Sequence, residues 1–476
     1  MKRRSGVSTA VAVAAVIIAI LVGVGIGIAA APSIIAPAAV TSTTTVTSTV
    51  EKTETVTTTL GAGATATVTT TVSAEKTVTV TSTVEKTKTV SAGAGGLTGE
   101  IPIGALLPLS GVLASFGQNS KVAAEIAVEE VNEFLEKIGA GWRLKLYVED
   151  TETKPSVALE KLMALYSKGV KVVIGPMASA GVKALKEYAD SNKILVISPS
   201  STSPALAIPD DYIFRFPPTD ELQGKIAPRF AKTIGATHMI VVWRGDAWGD
   251  CLADVVKKRA AELGIEVAKE IRYAPEATEF SAEVAALASA VDDLVSAGVS
   301  PDKILVVLIG FEEARGVLLD ATEYEVLWKV KWFGSDGTAL SSKLIEDPKV
   351  AEFSASVRFV NPIAGSETKG FWRLVEKVKE RIGRIPESYS VNTYDAIWII
   401  AHALLITDRY DGEALKNIFM DVVDQYYGAN GHIVLNEAGD RAYANYLLWE
   451  IVKTDGGYEW KLTGRYDYET DVVKWS

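Results

Sequence analysis

The sequence predicts an α/β fold of parallel sheets covered by helices on both faces, carried behind an apolar N-terminal segment and a low-complexity tract. Three observations predict it. From Ile101 onward short apolar runs alternate with amphipathic helical patterns, residues 7–31 are apolar and uncharged behind Lys2, Arg3 and Arg4, and residues 41–99 are dominated by Thr, Val, Ser, Ala and Gly.

The N-terminal run is 25 residues long. At 1.5 Å per residue such a helix rises about 37 Å, enough to cross a hydrocarbon core of roughly 30 Å with some tilt. The three basic residues before it would hold the N-terminus inside. Residues 1–31 are therefore expected to be a single-pass membrane anchor, with everything after them outside the cell. A cleavable secretory signal ending at the small residues Ala29, Ala30 and Ala31 is the alternative, and processing near Gly6 is a third.

Residues 32–99 are expected to form a stalk. Val46 to Val56 (VTSTVEKTETV) and Val80 to Val90 (VTSTVEKTKTV) are copies that differ only at Glu54 versus Lys88. Ser/Thr tracts of this kind bury too little to offset their ordering entropy, so a solvated, O-glycosylated spacer is expected. A short helical seam through Val46, Val50 and Thr53 is the competing reading.

Charge separates this leader from the body. Seven basic and four acidic residues in the first 99 leave the remaining 377 with a net −14, within a total of −11. Such a body repels phosphate backbones, and no basic stripe offsets it, so nucleic acid is excluded as a partner. Its length suits two domains. Cys251 is the single cysteine and the three histidines are scattered, so neither an internal disulfide nor a zinc site can be assembled.

Along the body, Ile101 to Leu109 reads as a buried strand followed by a helix on which Ala123, Ile126, Ala127, Val131 and Phe134 recur. Further strands are expected at 143–150, 170–175, 194–198, 212–216, 238–243, 303–310 and 330–334. No Gly-x-Gly-x-x-Gly, phosphate loop or Gly-x-Ser-x-Gly elbow follows any of them, so no nucleotide cofactor and no catalytic centre is expected. The strand ends instead carry hydroxyls, aromatics and one acid, and ligands of open parallel sheets lie at those ends.

At these ends the chain resembles the type I periplasmic binding proteins, most closely the Leu/Ile/Val-binding family that serves ABC importers. Five stretches carry the resemblance over Ile101 to Tyr468: IGALLPLSGVLASFG (103–117), VVIGPMASA (172–180), ISPSSTSP (197–204), WRGDAWGD (243–250) and WFGSDG (332–337). GHIVLNEAGDR (431–441) echoes the family's closing segment. The resemblance implies two lobes, each a doubly wound parallel sheet, joined by three crossing strands. One lobe would hold residues 100–219 and 355–447, the other 220–354 and 448–476.

It also implies an amino-acid ligand between the lobes, with the family's α-carboxylate and ammonium contacts falling on Ser179, Ser200 and Thr202. Helix capping is the alternative use of such hydroxyls. Asp336 matches the acid that pairs with the ammonium, although Ser-Asp-Gly is equally a turn sequence. Phe116, Trp248 and Phe311 match cleft aromatics, and Tyr389 is a further candidate; ordinary packing would also account for them. Two departures stand out: the family's first-lobe disulfide is missing, and Trp248 and Phe311 stand where tyrosine is common, which puts ligand identity in doubt.

The expected function is therefore a non-enzymatic, extracellular binding component that delivers a branched-chain or other apolar amino acid to an ABC permease and its ATPase subunits, without cofactor or metal. The alternatives are a ligand-sensing receptor domain, or a binder of an amide, urea or aromatic acid with the same fold. A structural surface protein and an extracellular enzyme stand further off.

Overall fold

The computed structural model describes residues 96–476 and, before them, the strand segments 40–46, 55–60, 64–69 and 78–84. The expected membrane anchor at 7–31 lies outside the described residues. The chain divides into two units, 1–94 and 95–476. In the first, Val40–Val46 pairs antiparallel with Val78–Val84, and Thr55–Leu60 with Ala64–Thr69. The helical seam expected through Val46, Val50 and Thr53 falls mostly outside the described residues; within the described segments, β-branched Thr and Val favour paired strands.

The second unit contains two parallel sheets. In the first, β1 (Gly99–Leu107) is flanked by β2 (Trp142–Asp150) and β3 (Val172–Ile174), followed by β4 (Leu195–Ser198), β5 (Ile213–Pro218) and the short strand Asp440–Arg441. The order 2-1-3-4-5 is that of a doubly wound sheet. Its central strands are apolar on both faces because helices cover both.

The second sheet has the order β7-β6-β8-β9, from β6 (His238–Arg244), β7 (Glu266–Tyr273), β8 (Ile304–Ile309) and β9 (Lys331–Phe333). Every residue of β8 is buried. All pairs in both sheets are parallel.

Helices α1 (Ala114–Lys137), α2 (Pro155–Ser167) and α3 (Ser179–Ser191) follow strands of the first sheet. Pro217 and Pro218 end β5 and lead into the one-turn α4 (Asp220–Gln223), the first passage to the second sheet. There α5 (Ile226–Ile234), α6 (Gly249–Glu262), α7 (Ser281–Ser296), α8 (Ala314–Ala321), α9 (Ser342–Glu346) and α10 (Pro348–Val357) surround the strands. The chain returns through β10 (Asn361–Ala364) to α11 (Lys369–Ile382), α12 (Ser388–Thr407) and α13 (Gly412–Asp424), and α12 packs against α1.

The C-terminal segment adds a further sheet. β11 (Tyr446–Thr454), β12 (Gly457–Asp467) and β13 (Val472–Trp475) join β10 in a four-stranded antiparallel sheet beside the passages between lobes. A buried ion pair ties the closing segment to the first lobe: Arg215 donates to Asp440 at 2.6 and 2.7 Å, and its third donor reaches Ser203 O at 2.7 Å. With both side chains about 1% exposed, losing either partner would strand a buried charge at a cost of about 3–5 kcal/mol.

Candidate functional site

The carboxyl ends of the two sheets face each other across a narrow cavity of about 20 Å³. Leu113, Phe116, Met177, Ala178, Ser179, Ser200 and Tyr389 line it from the first lobe, and Trp248, Phe311, Asp336 and Gly337 from the second. Seven of the eight residues singled out from sequence thus meet here.

Thr202 is the exception. It is buried beside the cavity, where its carbonyl accepts the Asp220 N–H at 2.9 Å and its hydroxyl lies next to the Asp220 carboxyl. Ser200 lines the cavity and Thr202 does not.

The hydroxyl side of the site is set by short local bonds. Ser200 Oγ donates to Met177 O at 2.8 Å, while Ser179 Oγ shares a 2.9 Å bond with Ser201 Oγ and accepts the Ser203 N–H at 3.3 Å. Ser179 is the first residue of α3, not its cap. Ala178 holds the cap position and no side-chain cap bond is made there. The capping alternative is therefore not what this serine does, and the start of a 13-residue helix, with its unpaired N–H groups and partial positive charge, adjoins the cavity beside two hydroxyls. Such an end suits an anion.

Opposite it, the turn at Ser335 to Thr338 delivers Asp336. Ser335 N–H donates to Thr338 Oγ1 at 3.0 Å and Thr338 N–H to Ser335 O at 3.1 Å, so the turn reading and the site reading hold together. Asp336 is 3% exposed; Tyr389 donates to its Oδ2, and Oδ1 has no partner. Burial raises its carboxyl above the usual range even against the Tyr389 and Gln223 bonds. An unpaired buried carboxylate oxygen on a cavity wall suits a cation.

Behind it lies a residue the sequence reading missed. Asp220, wholly buried, accepts from Gln223 Nε2 at 3.0 Å, and Gln223 Oε1 accepts the Asp336 N–H at 2.8 Å. Burial first, then the neighbouring Asp336 charge, pushes the Asp220 carboxyl well up. The signal was present in the acids and amide that follow Pro217-Pro218, but only the fold brings them against WFGSDG.

The aromatic wall is stacked. Trp248 and Phe311 lie 4.6 Å apart at 16°, and the Arg244 guanidinium covers Phe311 at 4.3 Å. Asp246 fixes this wall: it accepts the Trp248 and Gly249 N–H groups at 3.0 and 2.9 Å and Arg244 Nε at 2.7 Å. Gly337 sits beneath, where a Cβ would meet Gly310 O at 2.5 Å and Phe311 Cδ1 at 2.7 Å.

Two facing doubly wound lobes with an anion-favouring helix start on one side and a buried acid on the other define a protein that traps a small ligand between lobes. The chain belongs to the family described as "Receptor family ligand binding region", whose model matches residues 119–454. It is 36% identical over 393 residues to an uncharacterised protein of Methanocaldococcus jannaschii, covering 79% of this chain and 91% of that one. It is 23% identical over 363 residues to Leu/Ile/Val-binding protein homolog 3 of Brucella melitensis, covering 75% and 92%. The solved leucine-binding protein of Thermotoga maritima has the same fold, with a TM-score of 0.63 at 21% identity over 79% of this chain and 98% of that one.

Proposed function

We propose that this protein is the extracellular solute-binding component of an ABC importer and holds an amino acid with an apolar side chain between its lobes. The observation that carries this reading is the unpaired Asp336 oxygen across the cavity from Ser179, Ser200 and the start of α3. A zwitterion leaving water needs a partner for each charge, and this pair of half-sites answers both. Leu113, Phe116, Met177, Trp248 and Phe311 then surround the side chain. The named relative from Brucella melitensis supports the same ligand class.

The protein acts by closure without chemistry. A ligand touching both lobes favours the closed state through contacts the open state lacks, and a permease reads the closed surface. The apolar run at 7–31 anchors the protein in the cell membrane, and residues 32–99 carry the binding unit away from it, which keeps it near its permease.

A panel of free amino acids in a thermal-shift assay tests the reading. Stabilisation by leucine, isoleucine or valine at millimolar concentration is expected, since a ligand at 100 times its Kd adds about 2.7 kcal/mol. No stabilisation by any amino acid would defeat it.

A further inference from the structure

Helix α1 runs for 24 residues, yet its start has no side-chain cap of its own and no acid in its first turn. Such a start leaves N–H donors unpaired and carries partial positive charge. The acceptor comes from the other lobe. Glu312, on the loop after β8, accepts the Ser115 N–H on Oε2 at 3.2 Å and the Ser115 hydroxyl on Oε1. Ser341, from its own lobe, donates to the same Oε1 at 2.9 Å, and the Glu312 N–H donates to Val112 O at 3.0 Å.

The residue is 5% exposed and does not line the cavity. Its neighbours do: Leu113 and Phe116 flank Ser115 on one lobe, and Phe311 precedes Glu312 on the other.

We infer that Glu312 is an interlobe latch, a positioning residue that caps α1 across the cleft and so sets how firmly the lobes stay closed over a ligand it never touches. The inference rests on the closure reading above. When the lobes part, Glu312 and the Ser115 N–H return to water, so this bond belongs to the closed state alone and is a differential contact. A charge-assisted pair shielded from water is stronger than its exposed counterpart. The latch also couples closure to the pocket, because the segments that carry it carry the walls.

Single-molecule energy transfer between one exposed site on each lobe, in the full chain without ligand, reads the latch directly. Glu312→Ala is expected to lower the closed population, and to speed dissociation of L-leucine about tenfold with little change in association. Glu312→Gln, which keeps the shape and one acceptor, should fall between, and it decides the matter if the alanine variant does not fold. Ser115→Ala combined with Glu312→Ala should add little to Glu312→Ala alone, since both break one interaction. An unchanged closed population in both Glu312 variants, or full additivity with Ser115→Ala, would overturn the inference. The ligand-free measurement stands even if no amino acid binds, so failure of the amino-acid reading and failure of the latch are distinguishable.

Discussion

Asp336 shows how one side chain can serve a turn and a site together. Its backbone is held by the Ser335 to Thr338 turn and by Gln223, and its carboxylate keeps one oxygen free. Asp336→Asn keeps the shape and removes the charge, so amino-acid affinity should fall by about 2–5 kcal/mol if an ammonium pairs there. Calorimetric titration checks this, and unchanged affinity would remove Asp336 from that role. The pH dependence has a definite sign. Burial raises the Asp336 carboxyl in the empty site, whereas an ammonium favours its ionised form, so binding expels a proton wherever the empty site holds one. Affinity should therefore drop as pH falls from neutral into the raised carboxylate range and level off above it; Asp336→Asn should lose that slope. Sequence alone exposed Asp336 because its strand-end motif is local. It could not expose Asp220, which acts from more than 100 positions away.

At the scale of elements, the site depends on close approach of three loops. The loop after β9 brings Gly337 against Gly310 O and the Phe311 ring, where no Cβ fits without displacement. Gly337→Ala should push Phe311 off Trp248 and reduce binding at least tenfold, with stability lowered by about 1–3 kcal/mol from overpacking. Tryptophan fluorescence and ligand titration together read both effects; wild-type affinity in the variant would show that the wall tolerates movement. The strands themselves were legible because parallel strands buried on both faces read as continuous apolar runs, as in Ile304–Ile309. β7 (Glu266–Tyr273) was not. Its polar, half-exposed pattern is that of an edge strand, which pairs on one side only.

At the scale of the molecule, residues 95–476 form one compact unit that contains both lobes and the whole cavity. This fragment should fold alone and bind the same amino acids as the full chain with affinity within about twofold, since the described residues that line the cavity all lie within it. Paired thermal-shift and calorimetric measurements check it; a fragment that folds but has lost binding would place part of the site in the leader. Under the tether proposed here, shortening residues 41–99 should impair uptake by cells while leaving affinity unchanged, and equal loss of both would defeat the tether.

The sequence by itself determined the alternation of strands and helices, the acidic charge of the body, and the strand-end residues Ser179, Ser200, Asp336 and the aromatics, because periodicity, charge and strand-end motifs are local properties. Tertiary structure decided what required distant segments to meet. It left Thr202 out of the cavity lining, set Asp220 behind Asp336, paired the Thr/Val segments into strands, and placed Glu312 over the start of α1. Each of these depends on which partner burial supplies, and a burial partner is a property of the packed chain.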